Sequence, residues 1–390
     1  GGSIFMNNFV FHNPTKIIFG VDTTNEVGKE AKNYGKKVLL VSGQGSIKRI
    51  GLYDRVVKLL KDSGLEVYEL EGAKPNPRVD LVRKGIQMVR ENKIELILAL
   101  GSGSVIDTGK AIAAGLTYEG DVWDLFRYRK PIKPTIPIGV VLTLAATGSE
   151  MNGNAVISNM ETEEKLSISS PYIYPKFSIL DPKNTTTVPM NHTLYGIVDI
   201  LSHVFEQYFD RTEGAVLQDR FAESIMKTVI ETTPKLLKNP EDVEARGIIL
   251  WCGTNALNGI IGVGKEQEWA SHDIEHAISA VYDVPHGLGL AIVFPQWMKY
   301  VIDTIPHKFA QFARNIWGIQ GDDDFEVGLE GIDRLIDFYE SIGVPTKLSK
   351  IGINDERLEE MAEKATLFGP LGNTKKLTKE DVLNILKMCL

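Results

Sequence analysis

Residues Ile94–Ser104 read IELILALGSGS. Glu95 apart, Ile94–Leu100 is an unbroken aliphatic run, which suits a strand covered on both faces rather than one with a wet side. It ends in Gly-Ser-Gly-Ser, and apolar residues then return at helical spacing from about Val105 to Ala114. A strand, a glycine turn and a helix in that order make half of a βαβ unit.

The same texture extends outward. KKVLLVSG (Lys36–Gly43), LEVYELEG (Leu65–Gly72) and IPIGVVLTL (Ile136–Leu144) read as strands, and Leu52–Ser63 and Val79–Asn92 as helices. Apolar strands separated by helices predict a parallel sheet. After ILDPKNTTTVP (Ile179–Pro189) almost only helical periodicity remains. Candidate helices are Asn191–Phe209, Ala215–Ile230, Asp242–Leu257, Gln267–Tyr282, Leu288–Ile305, Phe325–Ile342, Asp355–Thr366 and Thr378–Lys387, with Asn191, Asp355 and Thr378 as N-caps. The expectation is an α/β domain with a parallel sheet over residues 6–185, then an all-helical domain over 186–390. Gly1–Phe5, before Met6, are left out of this reading. A cleft between two such domains is the expected ligand site.

Composition narrows the partners. The 390 residues carry a net charge of −8, with both signs spread along the chain, which argues against a nucleic-acid surface or an anionic membrane. The longest apolar runs, such as Ile136–Ala146, are too short to span a bilayer. Two cysteines, Cys252 and Cys389, cannot build a disulfide framework or a thiolate metal cage. A cytoplasmic location is the expectation.

Several turns would gather at the carboxyl ends of the parallel strands, where open α/β sheets bind ligands. They are SGQGS (Ser42–Ser46), KPNP (Lys74–Pro77), GSGS (Gly101–Ser104) and LTLAATGSEMN (Leu142–Asn152). Glycines let a backbone approach a phosphate, and free N–H groups at a helix start favour one. GSGS alone reads equally well as a tight turn, because the third glycine of GxGxxG is missing. Just after the first strand stand Gly43 and Gln44 rather than the acid that would take a ribose 2′-hydroxyl. Ser46, Lys48 and Arg49 follow, which tilts the expectation to NADP(H) over NAD(H).

The histidines carry the second signal. Asp199 and His203 are four apart, as are His272 and His276, and His286 follows Pro285. Four-residue spacing puts each pair on one helix face. Imidazoles and a carboxylate suit a first-row divalent ion such as Fe²⁺ or Zn²⁺. A lone helical histidine is far more often a surface or core residue, and His12, His192 and His307 are read that way. Asp273 stands where a zinc peptidase's HExxH would need Glu.

The chain resembles the iron-containing (group III) alcohol dehydrogenases, most of all their butanol dehydrogenase and NADPH-dependent aldehyde reductase branch. The resemblance runs from Met6 nearly to the end. It rests on FHNPTKIIFG, GQGS, PNP, GSGSVID, LTLAATGSEMN, VDILSHVFEQY and WASHDIEHAISAVYDVPHGLG in that order. It implies a metal held by Asp199, His203, His272 and His286, with His276 as a catalytic histidine near substrate and nicotinamide. It assigns the coenzyme to Gly43, Gln44, Gly45, Ser46, Asn76, Gly101, Ser102, Gly103, Ser104, Asp107, Thr143, Thr147 and Lys165, which makes 6–185 an α/β dinucleotide-binding domain and 186–390 an all-helical metal-binding and substrate domain. Gln44 and Ser102 stand where close relatives commonly have glycine. The implied activity is metal-dependent hydride transfer between NADP(H) and a primary alcohol/aldehyde pair such as butanol/butyraldehyde, in a homodimer, which an exposed first β-segment expected over Phe9–Phe19 also suggests. A glycerol-dehydrogenase-like polyol enzyme and a non-catalytic nucleotide-binding relative of the same fold are the alternatives.

Overall fold

Strand Leu96–Gly101, the core of the stretch quoted first, is buried at every residue. It lies inside a six-stranded parallel sheet. The structure is a computed structural model and describes residues 4–390. In chain order the first elements are β1 (Ile4–Phe5), β2 (Lys16–Phe19), α1 (Val27–Ala31), β3 (Lys37–Ser42), α2 (Ser46–Arg49), α3 (Leu52–Asp62), β4 (Glu66–Leu70), α4 (Val79–Asn92), β5 (Leu96–Gly101) and α5 (Gly103–Gly115). Then come α6 (Trp123–Arg127), β6 (Ile138–Leu142), β7 (Asn154–Asn159), β8 (Glu164–Ser169) and β9 (Phe177–Leu180).

The sheet order is β2-β9-β6-β5-β3-β4. The chain leaves β3 outward to β4 and then returns to place β5 on the other side of β3. That reversal is a topological switch point between β3 and β5, where such sheets bind ligands beyond their carboxyl ends. The turns Gly43–Ser46 and Gly101–Ser104 sit at those two ends. Val38, Leu40, Leu96, Leu98, Val141 and Ile179 from the strands share a core with Val27, Val56 and Leu60 from α1 and α3.

Besides the four strands read from the βαβ pattern, the sheet holds β2, which occupies the end of the β-segment expected over Phe9–Phe19, and β9, which was not expected. β2 and β9 pair with each other, and β9 pairs with β6. β9 has only four residues, too few to show a period. β7 and β8 form an antiparallel pair that the sequence reading did not resolve.

The later elements are α7 (Met190–Tyr208), β10 (Thr212–Glu213), α8 (Val216–Lys238), α9 (Val243–Ala256), α10 (Ala270–Tyr282), α11 (His286–Val301), α12 (Pro306–Trp317), α13 (Asp324–Ser341), α14 (Leu358–Ala365) and α15 (Lys379–Met388). Thr378 caps α15 in a full capping box. Asp355 does not cap α14, which starts at Leu358, and α7 starts at Met190, before Asn191. α8 runs on through Pro234 to Lys238, past the expected end at Ile230. α12 was not expected, although Pro306 at its first turn is a start signal.

Contacts group the chain into two compact units. One comprises His12–Thr193 and Lys238–Asn258, so α9 belongs with the sheet rather than with the other late helices. α9 packs on the 3₁₀ turn Pro182–Thr185 that follows β9. The other comprises residues up to Phe11, Leu194–Leu237 and Gly259–Leu390. It is helical except for β1, from the residues set aside at the start, which pairs with β10. Among the described residues no helix is long and apolar enough to cross a membrane.

Candidate metal centre

α7 is apolar on nearly every face: Ile197, Val198, Ile200, Leu201, Val204 and Phe205 are all buried. Asp199 and His203 are one turn apart within that apolar helix. α10 contributes His272 from its first turn, and His286 is the first residue of α11, directly after Pro285. One ligand atom from each of Asp199, His203, His272 and His286 can be chosen so that all lie within 4.8 Å of one another. Asp199 Oδ1 is 3.3 Å from His203 Nε2, 3.3 Å from His286 Nε2 and 3.8 Å from His272 Nε2.

These donors fit a divalent ion. Nitrogen and oxygen ligands about 2.0–2.1 Å from one tetrahedral ion stand roughly 3.3 Å apart. Asp199 Oδ1 and His272 Nε2 are buried and have no hydrogen-bond partner among the described residues. Buried polar atoms are normally paired, so two unpaired atoms converging on one point indicate a ligand for both.

The electrostatics are those of a tightly coupled group. Burial opposes the charge on Asp199, but His203 and His286 outweigh it and hold the carboxyl well below its usual range. Burial pushes the His203 imidazole down to about 3. Burial also opposes a charge on His272, yet the neighbouring carboxylates of Asp199 and Glu206 lift it to about 9.

Two residues that the sequence reading passed over stand behind the histidines. Glu206 Oε2 is 2.7 Å from His272 Nδ1, and Glu275 Oε1 is 2.5 Å from His286 Nδ1. Both glutamates are fully buried. Their signal was present: Asp199, His203 and Glu206 are spaced four and three, and His272, Glu275 and Ser279 three and four, each a single helix stripe. His276 is half-buried, its ring 5.6 Å from that of His286 and 6.3 Å from that of His272. It is not among the four clustered donors. His12, His192 and His307 are exposed, as expected.

The sheet unit holds the other candidate residues. Gly43, Gln44 and Gly45 lead into α2, which starts at Ser46, and Gly45 has a φ of 109°. Gly101 (φ 157°) ends β5, Ser102 is the N-cap of α5, and Gly103 and Ser104 form its first turn. No side chain caps that helix start, which leaves its N–H groups suited to an anion. A Cβ on Gly103 would lie 2.3 Å from Thr147 Oγ1, so this turn touches the loop after β6 that begins at Thr143. Lys165 Nζ donates to Asn76 Oδ1 at 2.9 Å. The buried carboxylate of Asp107 accepts from Ser149 Oγ at 2.6 Å and from the Val156 N–H at 3.0 Å, tying α5 to that loop. Lys48, expected to favour a 2′-phosphate, lies 2.5 Å from Glu71 just beyond β4.

The family model described as iron-containing alcohol dehydrogenase matches residues 14–182, and that of the family's C-terminal part matches residues 193–390. The chain is 52% identical to the probable NADH-dependent butanol dehydrogenase 1 of Bacillus subtilis, over 99% of this chain and 100% of that protein. It is 39% identical to an NADPH-dependent aldehyde reductase of Escherichia coli, over 96% of this chain and 97% of that protein. The crystal structure of NADH-dependent butanol dehydrogenase A from Thermotoga maritima superposes with a TM-score of 0.96 at 44% identity, over 99% of each chain.

Proposed function

The chain belongs to the iron-containing alcohol dehydrogenase family and is an NAD(P)-dependent oxidoreductase, and from that premise we propose that it interconverts a primary alcohol and its aldehyde, such as butanol and butyraldehyde. The observation that carries the reading is the buried convergence of Asp199, His203, His272 and His286. These four would hold a divalent ion, Fe²⁺ or Zn²⁺. When bound, the ion supplies Lewis-acid polarisation of the substrate oxygen and the nicotinamide supplies or takes up hydride.

The chain's own residues do the rest. Asp199 brings negative charge to a site otherwise built from imidazoles. His276, outside the donor set and only half-buried, is cast as the residue that passes the proton of the substrate oxygen to solvent. The uncapped start of α5 and the turn Gly43–Ser46 bind the coenzyme phosphates through backbone N–H groups.

The proposed preference for NADP(H) rests on Ser46, Lys48 and Arg49. Glu71 beside Lys48 offsets part of it, so the preference is modest. Affinities for NADPH and NADH measured side by side decide it, and tighter NADH binding overturns it. A homodimer is proposed because Phe5, Phe9, Val10 and Phe11 lie exposed together near the chain start. Sedimentation at micromolar concentration checks that.

The activity is tested by metal quantification after anaerobic purification and by oxidation of NADPH or NADH with butyraldehyde. One equivalent of metal and turnover that disappears in His272→Ala support the reading. A metal-loaded protein that turns over no alcohol or aldehyde in a substrate panel overturns it.

A further inference from the structure

The three histidines of the cluster are not supported alike. Glu206, on α7, accepts from the Trp269 N–H through Oε1 at 2.9 Å. Its Oε2 accepts from the His272 N–H at 3.0 Å and faces His272 Nδ1. One carboxylate therefore fixes the start of α10 and the ring that the helix carries there. Trp269 has a φ of 77°, the left-handed region that non-glycine residues rarely occupy, and its N–H is held by Glu206.

Glu275 does the equivalent for His286 from α10. Ser279 Oγ donates to its Oε2 at 2.6 Å while Oε1 faces His286 Nδ1. Space for this carboxylate comes from Gly289, where a Cβ would lie 2.2 Å from Glu275 Oε2. His203 has no such support: its Nδ1 is buried without a hydrogen-bond partner among the described residues.

We propose that Glu206 and Glu275 are positioning residues that set how tightly the metal is held, with His203 as the one imidazole not braced. The proposal rests on the metal reading above. An N–H donated from Nδ1 to a carboxylate fixes the tautomer, aims the Nε2 lone pair and raises its basicity, and loss of such a partner typically costs about 10–100-fold in metal affinity.

The test is competition for Zn²⁺ between the full-length protein and a chelator, beside metal-free melting and NADPH affinity. Glu275→Gln and Glu206→Gln should each weaken zinc binding about 10–100-fold and leave NADPH affinity unchanged. Glu275→Asp should recover part of the loss. Gly289→Ala, which moves the same carboxylate without changing charge, should weaken zinc in the same direction. Should Glu206→Gln fail to fold, Glu275→Gln and Gly289→Ala carry the test. Unchanged zinc affinity in a folded Glu275→Gln protein overturns the proposal while His272→Ala still loses zinc. Equal zinc affinity in wild type and His272→Ala would instead defeat the underlying metal reading.

Discussion

The two candidate sites are built from opposite materials. The turns at the carboxyl ends of β3 and β5 are glycine-rich and offer backbone N–H groups at uncapped helix starts. The cluster on α7, α10 and α11 is made of side chains, and its backbone serves to aim them. A backbone site tolerates exchange of residue type wherever no Cβ is excluded. A side-chain site depends on residue identity at every position. Each should therefore fail differently under mutation, and independently of the other.

The largest effect is expected at His272. His272→Ala should lose essentially all bound metal yet keep coenzyme affinity, by metal analysis and nucleotide titration. His276→Ala should keep the metal and slow turnover about 10²-fold or more, the range for a missing acid–base group. Equal metal loss in both variants would break the division between them.

A second comparison uses pH. Burial raises the Glu150 carboxyl to about 7, against the opposing charge of Lys110, while the same group in the unfolded chain titrates near 4.5. Between those values the folded state holds more protons, so Glu150 makes stability fall as pH rises through that window. Above about 7 the carboxyl is ionised in both states and its contribution levels off. At about 1.4 kcal/mol per pKa unit, the loss is roughly 3 kcal/mol at most. Glu150→Gln should flatten the melting-temperature profile between pH 4.5 and 7.5 without changing metal content. An unaltered profile would show that Glu150 does not titrate in that window.

Smaller still, Gly103→Ala forces a methyl toward Thr147 and should weaken coenzyme binding roughly tenfold, about 1.4 kcal/mol. Metal affinity should not move, and a change there would blur the two-site distinction. The least effect is expected for Lys48→Ala, exposed and paired with Glu71. It should lower NADPH affinity by about threefold and leave NADH affinity unaltered, in keeping with the small worth of exposed charges.

Legibility followed the same divide. Helical spacing made Asp199 and His203 readable as a pair, because residues four apart must share a face. Spacing could not separate His272 from His276, which share a stripe just as well. Only the resemblance divided their roles before the structure set His276 outside the four donors. Glu206 and Glu275 went unread because a helical carboxylate is usually a solvated one, and nothing in the sequence states that both are buried. β3, β5 and β6 announced themselves by apolar runs, and β2 lies within the β-segment expected over Phe9–Phe19, whereas β9 was too short to be read. α9 looked like any other late helix, and its place with the sheet depends on tertiary packing alone.

Gly287 and Gly289 near the start of α11 bear on how this protein could be made heat-resistant. Replacing helical glycines by alanine is a routine stabilising substitution, gaining up to about 1 kcal/mol each where the backbone allows it. Both positions have ordinary helical backbone and would pass a filter based on dihedral angles. Yet a methyl on Gly287 would lie 2.0 Å from the Tyr195 carbonyl oxygen, and one on Gly289 would meet the Glu275 carboxylate. A thermostabilisation library should hold both fixed, and any hit there should be counter-screened for metal retention.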